Sequence, residues 1–579
     1  MRVHYPRTAH LPWSPGATSD DIRAGDLRGL AGREVVVTEK LDGENTTLYN
    51  DGLHARSLDS AHHPSRAWVK ALQSRVGSQI PDGWRVCGEN MHARHSIAYG
   101  DLDSWFYGFS VWDDADHCLN WDATVRFLRG LGIPTPPVLW RGTFDETAVR
   151  ALRLDLARQE GYVVRAVAGF DRAEFTARVA KWVRPNHVQT DTHWMHAEIV
   201  PNGLGRSSTF WALRSGASVD ASNLLTALNL DGDVYARHDP VIEETLGRVD
   251  ATHRLGDVRL IAAIAAALHH EDRGSIAARL AAGPLGMPLA RRVADLVGLF
   301  GRLHTPFPDE QRRSGLARMS LAADLVALHA IAEAVLRTKP EDAAAREQVQ
   351  WSALYAEDSG LLVPEPWQPL RDGLRTELAD LPRDAANRCW AQARAAWADG
   401  RLASVEEAVA ATWKWRGGAF PQLIQVVGPS GSGKSRFTAG LSGEVACVVS
   451  MDDIRQERGS RADQRSNPEI LTAALARLES ALGDAGAGAR VVWDATGLNR
   501  PQRNLVLRAA HAADAYVTQA VFLVDGAVLR ARNATRRNPV PDAVLTGQLH
   551  RYQPPYPAEA HRIWYLDGAG ATADADGEL

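Results

Sequence analysis

LIQVVGPSGSGKSRFTAGL (423–441) places a short apolar run, a glycine-punctuated loop and a helical run in direct succession. The loop satisfies G-x-x-x-x-G-K-[S/T]. Gly428, Gly431 and Gly433 permit a backbone whose N–H groups converge on phosphate oxygens at a helix N-terminus. Lys434 then reaches the β- and γ-phosphates of a nucleotide, and Ser435 ligates its Mg2+. A merely flexible Gly/Ser loop has no use for the Lys-Ser pair, so the phosphate-binding reading is preferred. Further along, VACVVS, RVVWDA and AYVTQAVFLV alternate with helical stretches, the pattern of a parallel sheet with crossover helices. This predicts an α/β domain over 416–567, with WKWRGGAF ahead of it as a linker, and a small acidic tail, 568–579, without fixed structure. In such sheets the C-terminal strand ends share one edge with the phosphate loop. Asp452, Asp453, Arg455 and Asp494 fall at or just beyond strand ends, so a carboxylate there can take a proton from an attacking hydroxyl. Arg532, Arg536 and Arg537 in LRARNATRRNPVP are placed to cap a transferring phosphoryl group.

At 579 residues the chain exceeds a single hydrophobic core. Apolar residues at 45% and charged residues at 23% exclude a fibre and wholesale disorder. No apolar run reaches the ~18 residues of a membrane span. The opening MRVHYPRTAHLPW lacks the apolar centre of a secretory leader. Four cysteines without C-x-x-C spacing argue against a disulfide framework or zinc knuckle and fit a reducing, cytoplasmic setting. A net charge of −5 means that any nucleic-acid surface is a local basic patch. Only six of the 65 basic residues are lysine. Where arginine is the default cation, a retained lysine marks a place for an amine that can lose its proton, or for a compact charge on phosphate. Lys40, Lys181 and Lys434 all fall in motifs.

Residues 1–200 read as strand-rich, 205–350 as a helical domain and 351–415 as a helical linker. EVVVTEKLDGENTTLYNDG (34–52) predicts two strands around a tight Asp-Gly turn, with K-x-D-G at Lys40. A lysine becomes a nucleophile only when deprotonated, which neighbouring cations, a metal and partial burial can arrange. The motif alone occurs by chance in many chains; the ordered series of segments C-terminal to it adds weight. HARS carries Arg56, CGEN carries Glu89, FYGFSVWD is an aromatic strand, EGYVVR carries Glu160 and RVAKWVR carries Lys181.

That series resembles the covalent nucleotidyltransferase superfamily, and within it the ATP-dependent phage-type RNA ligases, over about residues 30–195. The resemblance implies an α+β, ATP-grasp-like ligase fold in which Lys40 is adenylylated. Arg56 is then on the phosphate side, Glu89 on the ribose and Phe109 on adenine, with Phe106 and Tyr107 as alternatives for the stacking ring. Glu160 is implied to hold the metal and Lys181 to face the α-phosphate. Relatives often carry two lysines in that last motif; here Lys181 stands with Arg178 and Arg184. The chain continues into helices without the β-rich OB pattern, which favours RNA ligases over DNA ligases and capping enzymes. The C-terminal region, over about residues 420–566, resembles the kinase domain of polynucleotide kinase. By position Asp452 is the implied general base, Arg455 and Asp494 are substrate-binding, and Arg536 is the lid arginine on the ATP phosphates. A metal-ligating Asp452 in another phosphotransferase is the alternative.

AALHHEDRG (266–274) faintly resembles HD-superfamily phosphohydrolases, in which His, His-Asp and Asp hold a metal. The ligands implied are His238, His270 with Glu271 (or His269 with His270) and Asp324; a helical adaptor with surface histidines is the alternative. The fold class is thus multidomain α/β and α: an N-terminal α+β ligase domain, an all-α middle and a C-terminal α/β domain. Joined, the two resemblances imply an enzyme that phosphorylates 5′-hydroxyl RNA ends and seals them to 3′-hydroxyl ends. It would use ATP and Mg2+ or Mn2+ on broken RNA, tRNA among the candidates. The alternatives are a kinase–ligase for nicked DNA, or a nucleotide-gated sensor of RNA ends without turnover.

Overall fold

The computed structural model describes residues 2–58, 63–185, 199–230, 239–441, 445–458, 467–536 and 539–579. The chain divides into two compact units, Met1–Asp231 with Val249–Leu260, and Gly232–Arg248 with Ile261–Leu579.

The first unit is built on β1 (Ala9–His10), β2 (Glu34–Lys40), β3 (Glu44–Tyr49), β4 (Gly52–Ala55), β5 (Arg85–Asn90), β6 (Phe106–Trp112), β7 (His117–Cys118), β8 (Val138–Thr143), β9 (Gly161–Ala166), β10 (Phe170–Asp171) and β11 (Val179–Val183). These form two sheets, ordered β1-β11-β9-β2-β8 and β10-β7-β6-β5-β3-β4. Strand periodicity decides which residues face which layer. Val35 and Val37 of β2, with Tyr162, Val164 and Ala180, pack on Leu11, Leu30 and Val149 in one core. Thr38 and Lys40 alternate with them and share the other face with Val163 and Lys181, their neighbours across the sheet. In the second sheet Leu48, Val86, Phe106 and Val111 pack on the helix Ala67–Val76 and its surroundings. Cys87, Trp112, Cys118, Phe170 and Phe175 meet Val179 and Val163 of the first sheet in a layer between the two.

The two strands expected around the Asp-Gly turn are present, and they belong to different sheets. β2 pairs with β8 and β9, whereas β3 pairs with β4 and β5. Gly43 allows the crossing, because a Cβ there would stand 2.5 Å from the Asn90 carbonyl oxygen.

Residues 208–227 and 249–260, expected within a separate helical domain over 205–350, belong to this first unit. Arg259 explains part of that: it pairs with Asp250 and donates to the carbonyl oxygen of Leu213 at 2.6 Å. Asp257 likewise accepts from both Arg129 and Arg214 at 2.7 Å.

The second unit carries β12 (Gln422–Val427), β13 (Val445–Ser450), β14 (Arg490–Asp494), β15 (Tyr516–Phe522), β16 (Arg562–Leu566) and β17 (Thr572–Asp576), in the order β13-β14-β12-β15-β16-β17. All pairs are parallel except β16 with β17. Every residue of β12 is buried, as a central strand covered on both faces requires.

Three further segments differ from the sequence reading. Residues 351–415 are not a linker: Leu374, Cys389, Trp390 and Ala393 pack with Trp415, Phe420 and Tyr516 in one core. WKWRGGAF is likewise no linker, since Trp415 is buried against Phe420. The tail 568–579 is ordered. Its alternating aspartates meet arginines of the helices: Asp574 accepts from Arg291 at 2.7 Å and Asp576 from Arg394 at 3.2 Å. A small acidic segment has little apolar surface of its own to bury, so its order rests on partners elsewhere in the chain.

Candidate active sites

In the first unit the face between the sheets collects the implied nucleotide residues. Lys40 ends β2 and donates to Glu160, which immediately precedes β9 and is 5% exposed. Burial opposes the Lys40 charge, but Glu160, Glu89 and Asp42 outweigh it and raise the ammonium above the ordinary lysine value. Glu89 comes from the opposite sheet, across from Asn45 and Tyr107. Burial pushes its carboxyl up to about 8, against the pull of the Lys40 charge. Lys181 is lowered by burial and by Lys40, with Asp21 and Glu160 opposing. Arg56 is exposed just beyond β4, and its charge reaches Lys181.

The three candidate rings separate cleanly. Phe106 is fully buried in the core behind the sheet. Tyr107 is buried beside Leu41 and Met91, and its hydroxyl accepts from Asp103 N at 2.7 Å. Phe109 is half-buried in the layer between the sheets. A register shift between Cys87 and Gly88 turns it there.

Sequence reasoning missed the partner of the motif's aspartate. Asp42 Oδ2 accepts from Ser96 N at 2.9 Å, Ser96 Oγ at 2.6 Å and Ile97 N at 3.0 Å, and Asp42 N donates to the Tyr99 hydroxyl at 3.1 Å. The segment after CGEN is thereby tied to the nucleophile's own turn.

In the second unit β12, β13 and β14 end together, with Val426 and Ser450 both opposite Asp494. The phosphate loop follows β12, and Gly428 N donates to the Thr496 carbonyl at 2.9 Å. Gly431 and Gly433 adopt φ of 85° and 108°, left-handed values that favour glycine. Lys434 opens the helix Lys434–Ala439, and its Nζ donates to the carbonyls of Gly428 at 3.0 Å and Pro429 at 2.7 Å. Burial lowers the Lys434 amine to about 8, with Asp494 and Asp452 opposing and Arg536 adding to the fall. Asp452 lies in the first turn of the helix Met451–Glu457, is 66% exposed and pairs with Arg455 at 2.5 Å. Asp452, Arg455, Asp494 and Lys434 are thus brought to one edge; Arg537 lies outside the described residues. Two features were not legible in the motif: Gln548 Oε1 accepts from Ser430 N at 2.8 Å, and a cavity of about 610 Å3 opens beside the loop, lined by Arg436, Phe437, Arg532 and Gly568 among others.

The residues fit a divalent cation differently at the two sites. Carboxylate and hydroxyl oxygens suit a hard cation, and Glu160 and Ser435 are the groups that would hold one. Among the described residues no three His, Cys, Asp or Glu side chains gather to hold a metal. The same fact bears on the middle region. Asp324 caps the helix Leu325–Arg337, accepting from Val326 N and Ala327 N, and Glu271 pairs with Arg279 at 3.5 Å. Among the described residues His269, His270, Glu271 and Asp324 form no group of three that could hold a metal, and His238 lies outside the described residues.

Residues 33–183 match the RNA ligase family model. Residues 423–555 match an AAA domain model, the P-loop region. The chain therefore carries a region matched by the RNA ligase family model followed by a P-loop region matched by an AAA domain model. No curated protein matches it. Among solved structures, a gluconokinase from Sinorhizobium meliloti 1021 is similar at 21% identity and a TM-score of 0.21, covering 27% of this chain and 86% of that one. A mutant Naegleria gruberi RNA ligase with AMP and Mn is similar at 18% identity and a TM-score of 0.21, over 28% of this chain and 52% of that one. Another mutant of that ligase, with ATP and Mn, aligns at 17% identity and a TM-score of 0.22, over 31% and 61%. The chain thus spans just over half the length of these ligase chains.

Proposed function

We propose that the protein heals and seals RNA ends: it phosphorylates 5′-hydroxyl RNA with a nucleoside triphosphate, then joins the 5′-phosphate to a 3′-hydroxyl. What supports this best is the convergence of Lys40, Glu160, Lys181 and Glu89 on one face between two sheets, in a chain that also carries a phosphate loop. At the ligase site Lys40 Nζ, its proton released to solvent, attacks the α-phosphorus of ATP and pyrophosphate leaves; Glu160 would hold the cation beside it. Lys181 and Arg56 face the phosphates, and Glu89 with Phe109 holds the nucleoside. AMP passes to the RNA 5′-phosphate, and attack by the 3′-hydroxyl releases it. At the kinase site Asp452 accepts the proton of the attacking 5′-hydroxyl while Arg455 holds the neighbouring phosphate. Lys434 and Arg536 stabilise charge on the transferring group. A bound Mg2+ or Mn2+ neutralises phosphate charge at each site. The setting proposed is cytoplasmic and the substrate is broken RNA, tRNA included.

Incubation with α-labelled ATP tests the first half. The parent acquires an acid-labile AMP adduct and Lys40→Ala does not; a parent without the adduct ends the ligase reading. With γ-labelled ATP, label moves to 5′-hydroxyl RNA, and Asp452→Asn slows this by about 10²- to 10⁴-fold, the usual weight of a general base. An Asp452→Asn variant as fast as the parent removes that residue as the base. Chelation stops both transfers, and Mg2+ or Mn2+ restores them. DNA ends labelled and sealed better than RNA ends would shift the substrate assignment.

A further inference from the structure

The segment ahead of the family-matched region touches three of the implied nucleotide residues. His10 of β1 pairs with Lys181 of β11, and Leu11 N donates to the Lys181 carbonyl at 2.7 Å. The His10 side chain is 2% exposed; its Nδ1 lies 2.9 Å from Ser14 Oγ and its Nε2 3.6 Å from Asp21 Oδ1. Ser14 Oγ also accepts from Val183 N at 3.0 Å. Asp21 is held below the usual carboxylate range by hydrogen bonds from Thr18, with the charges of His10 and Lys181 adding to the effect. The charged groups acting on Lys181 are thus Lys40, Asp21, Glu160 and Arg56, and Asp21 is the carboxylate among them that comes from outside the motif series. Nearer the N-terminus, Tyr5 packs edge-on against Phe109 with centroids 5.2 Å apart, and against Phe175 at 5.3 Å. Burial and the nearby Arg165 govern its phenol, which is pushed up to about 12. The Arg165 guanidinium lies 5.8 Å from the Phe109 ring centre. His4 Nδ1 lies 2.9 Å from the Arg56 carbonyl oxygen.

We infer that residues 2–24 form a wall of the ligase nucleotide pocket, in which Tyr5 fixes the ring of Phe109 and β1, braced by the His10–Asp21 pair, fixes the strand that carries Lys181. Tyr5, His10 and Asp21 are positioning residues: they act through groups that face the nucleotide. A ring held edge-on by a second aromatic keeps one orientation for stacking, and a strand paired along its outer edge keeps the direction of the side chains it carries. The inference rests on the ligase function proposed for this pocket.

The test uses the full chain carrying Lys434→Ala, so that ATP binding reports on the ligase pocket. Equilibrium ATP binding and the rate of AMP-adduct formation are measured for Tyr5→Ala, Tyr5→Phe and Asp21→Asn. Tyr5→Ala weakens ATP binding about tenfold and Tyr5→Phe restores it, since the ring and not the hydroxyl meets Phe109. Asp21→Asn leaves ATP affinity within about twofold but slows adduct formation about tenfold, the split expected when a group facing the α-phosphate is misdirected. Unchanged thermal transitions establish that the variants are folded, and Tyr5→Leu replaces Tyr5→Ala if the latter unfolds. Folded variants that bind and react like their parent overturn the inference. A parent that binds ATP without forming the adduct defeats the ligase reading, while the Tyr5 binding comparison still decides the wall. A parent that binds no ATP overturns both.

Discussion

Lysine at position 40 is matched by arginine in charge but not in chemistry. Lys40→Arg keeps a cation opposite Glu160, yet a guanidinium does not lose its proton in a protein. Mass spectrometry after exposure to ATP is therefore expected to show no added AMP on Lys40→Arg, while label transfer at the phosphate loop continues. Gly433 makes the converse point through the backbone. Its φ of 108° is strained for any L-residue, although the nearest atom to an added Cβ, on Phe522, is at an ordinary 3.5 Å. Gly433→Ala is expected to cost about 1–2 kcal/mol in local conformation. That corresponds to a roughly 5- to 30-fold loss of phosphorylation efficiency in the γ-label assay, with adduct formation at Lys40 unchanged. Both side chain and glycine were legible in the sequence because their motifs name atoms that chemistry requires. Tyr5, His10 and Asp21 were not, since only the pairing of β1 with β11 brings them to the site.

At the level of elements, β2, β5, β6, β9 and β11 announce themselves by β-branched and aromatic content, and β12 by Leu-Ile and Val-Val flanking Gln425 just ahead of the glycine loop. β1 has two residues and β17 is Thr-Ala-Asp-Ala-Asp, so neither carries an apolar pattern from which a strand could be read. The entry into β16 supplies a pH test. His561 Nδ1 accepts from Val517 N at 2.9 Å, and its ring stacks on Tyr516. Burial, with the charges of Arg388, His511 and Arg394, holds His561 well below the ordinary histidine value of 6.5. The folded state therefore stays unprotonated there while the unfolded state takes up a proton below about pH 6.5. Stability is present above that pH and falls on acidification, by up to about 1.4 kcal/mol per pH unit, until the folded-state value is reached. Thermal melting at pH 7.5 and 5.5 checks this. His561→Asn, which keeps an acceptor for Val517, is expected to lose less stability between the two than the parent; an equal loss would point to other groups.

Over the whole second unit, arginines join helices to the sheet. Asp295 is fully buried and accepts from Arg273 at 2.5 Å and Arg291 at 3.1 Å, and Arg273 also donates to the Pro555 carbonyl at 3.1 Å. Asp295→Ala leaves two guanidiniums short of a counter-charge and is expected to destabilise this unit by about 3–5 kcal/mol in denaturant titration. A loss below about 1 kcal/mol would mean that water or neighbours compensate. The sequence concealed this unity because helical texture and strand texture read as separate domains, whereas cohesion comes from buried ion pairs between them.

The linkage of β2 and β3 through Leu41–Gly43 has a consequence for evolution and engineering alike. Lys40 sits on one jaw and Glu89 and Phe109 on the other, with Cys87, Trp112, Phe170 and Phe175 as the shim that sets the gap. On the proposed function, changing the thickness of that shim alters the reach between Lys40 and a bound nucleotide without touching either, so variation deep in this layer should surface as a sealing phenotype long before it surfaces as misfolding.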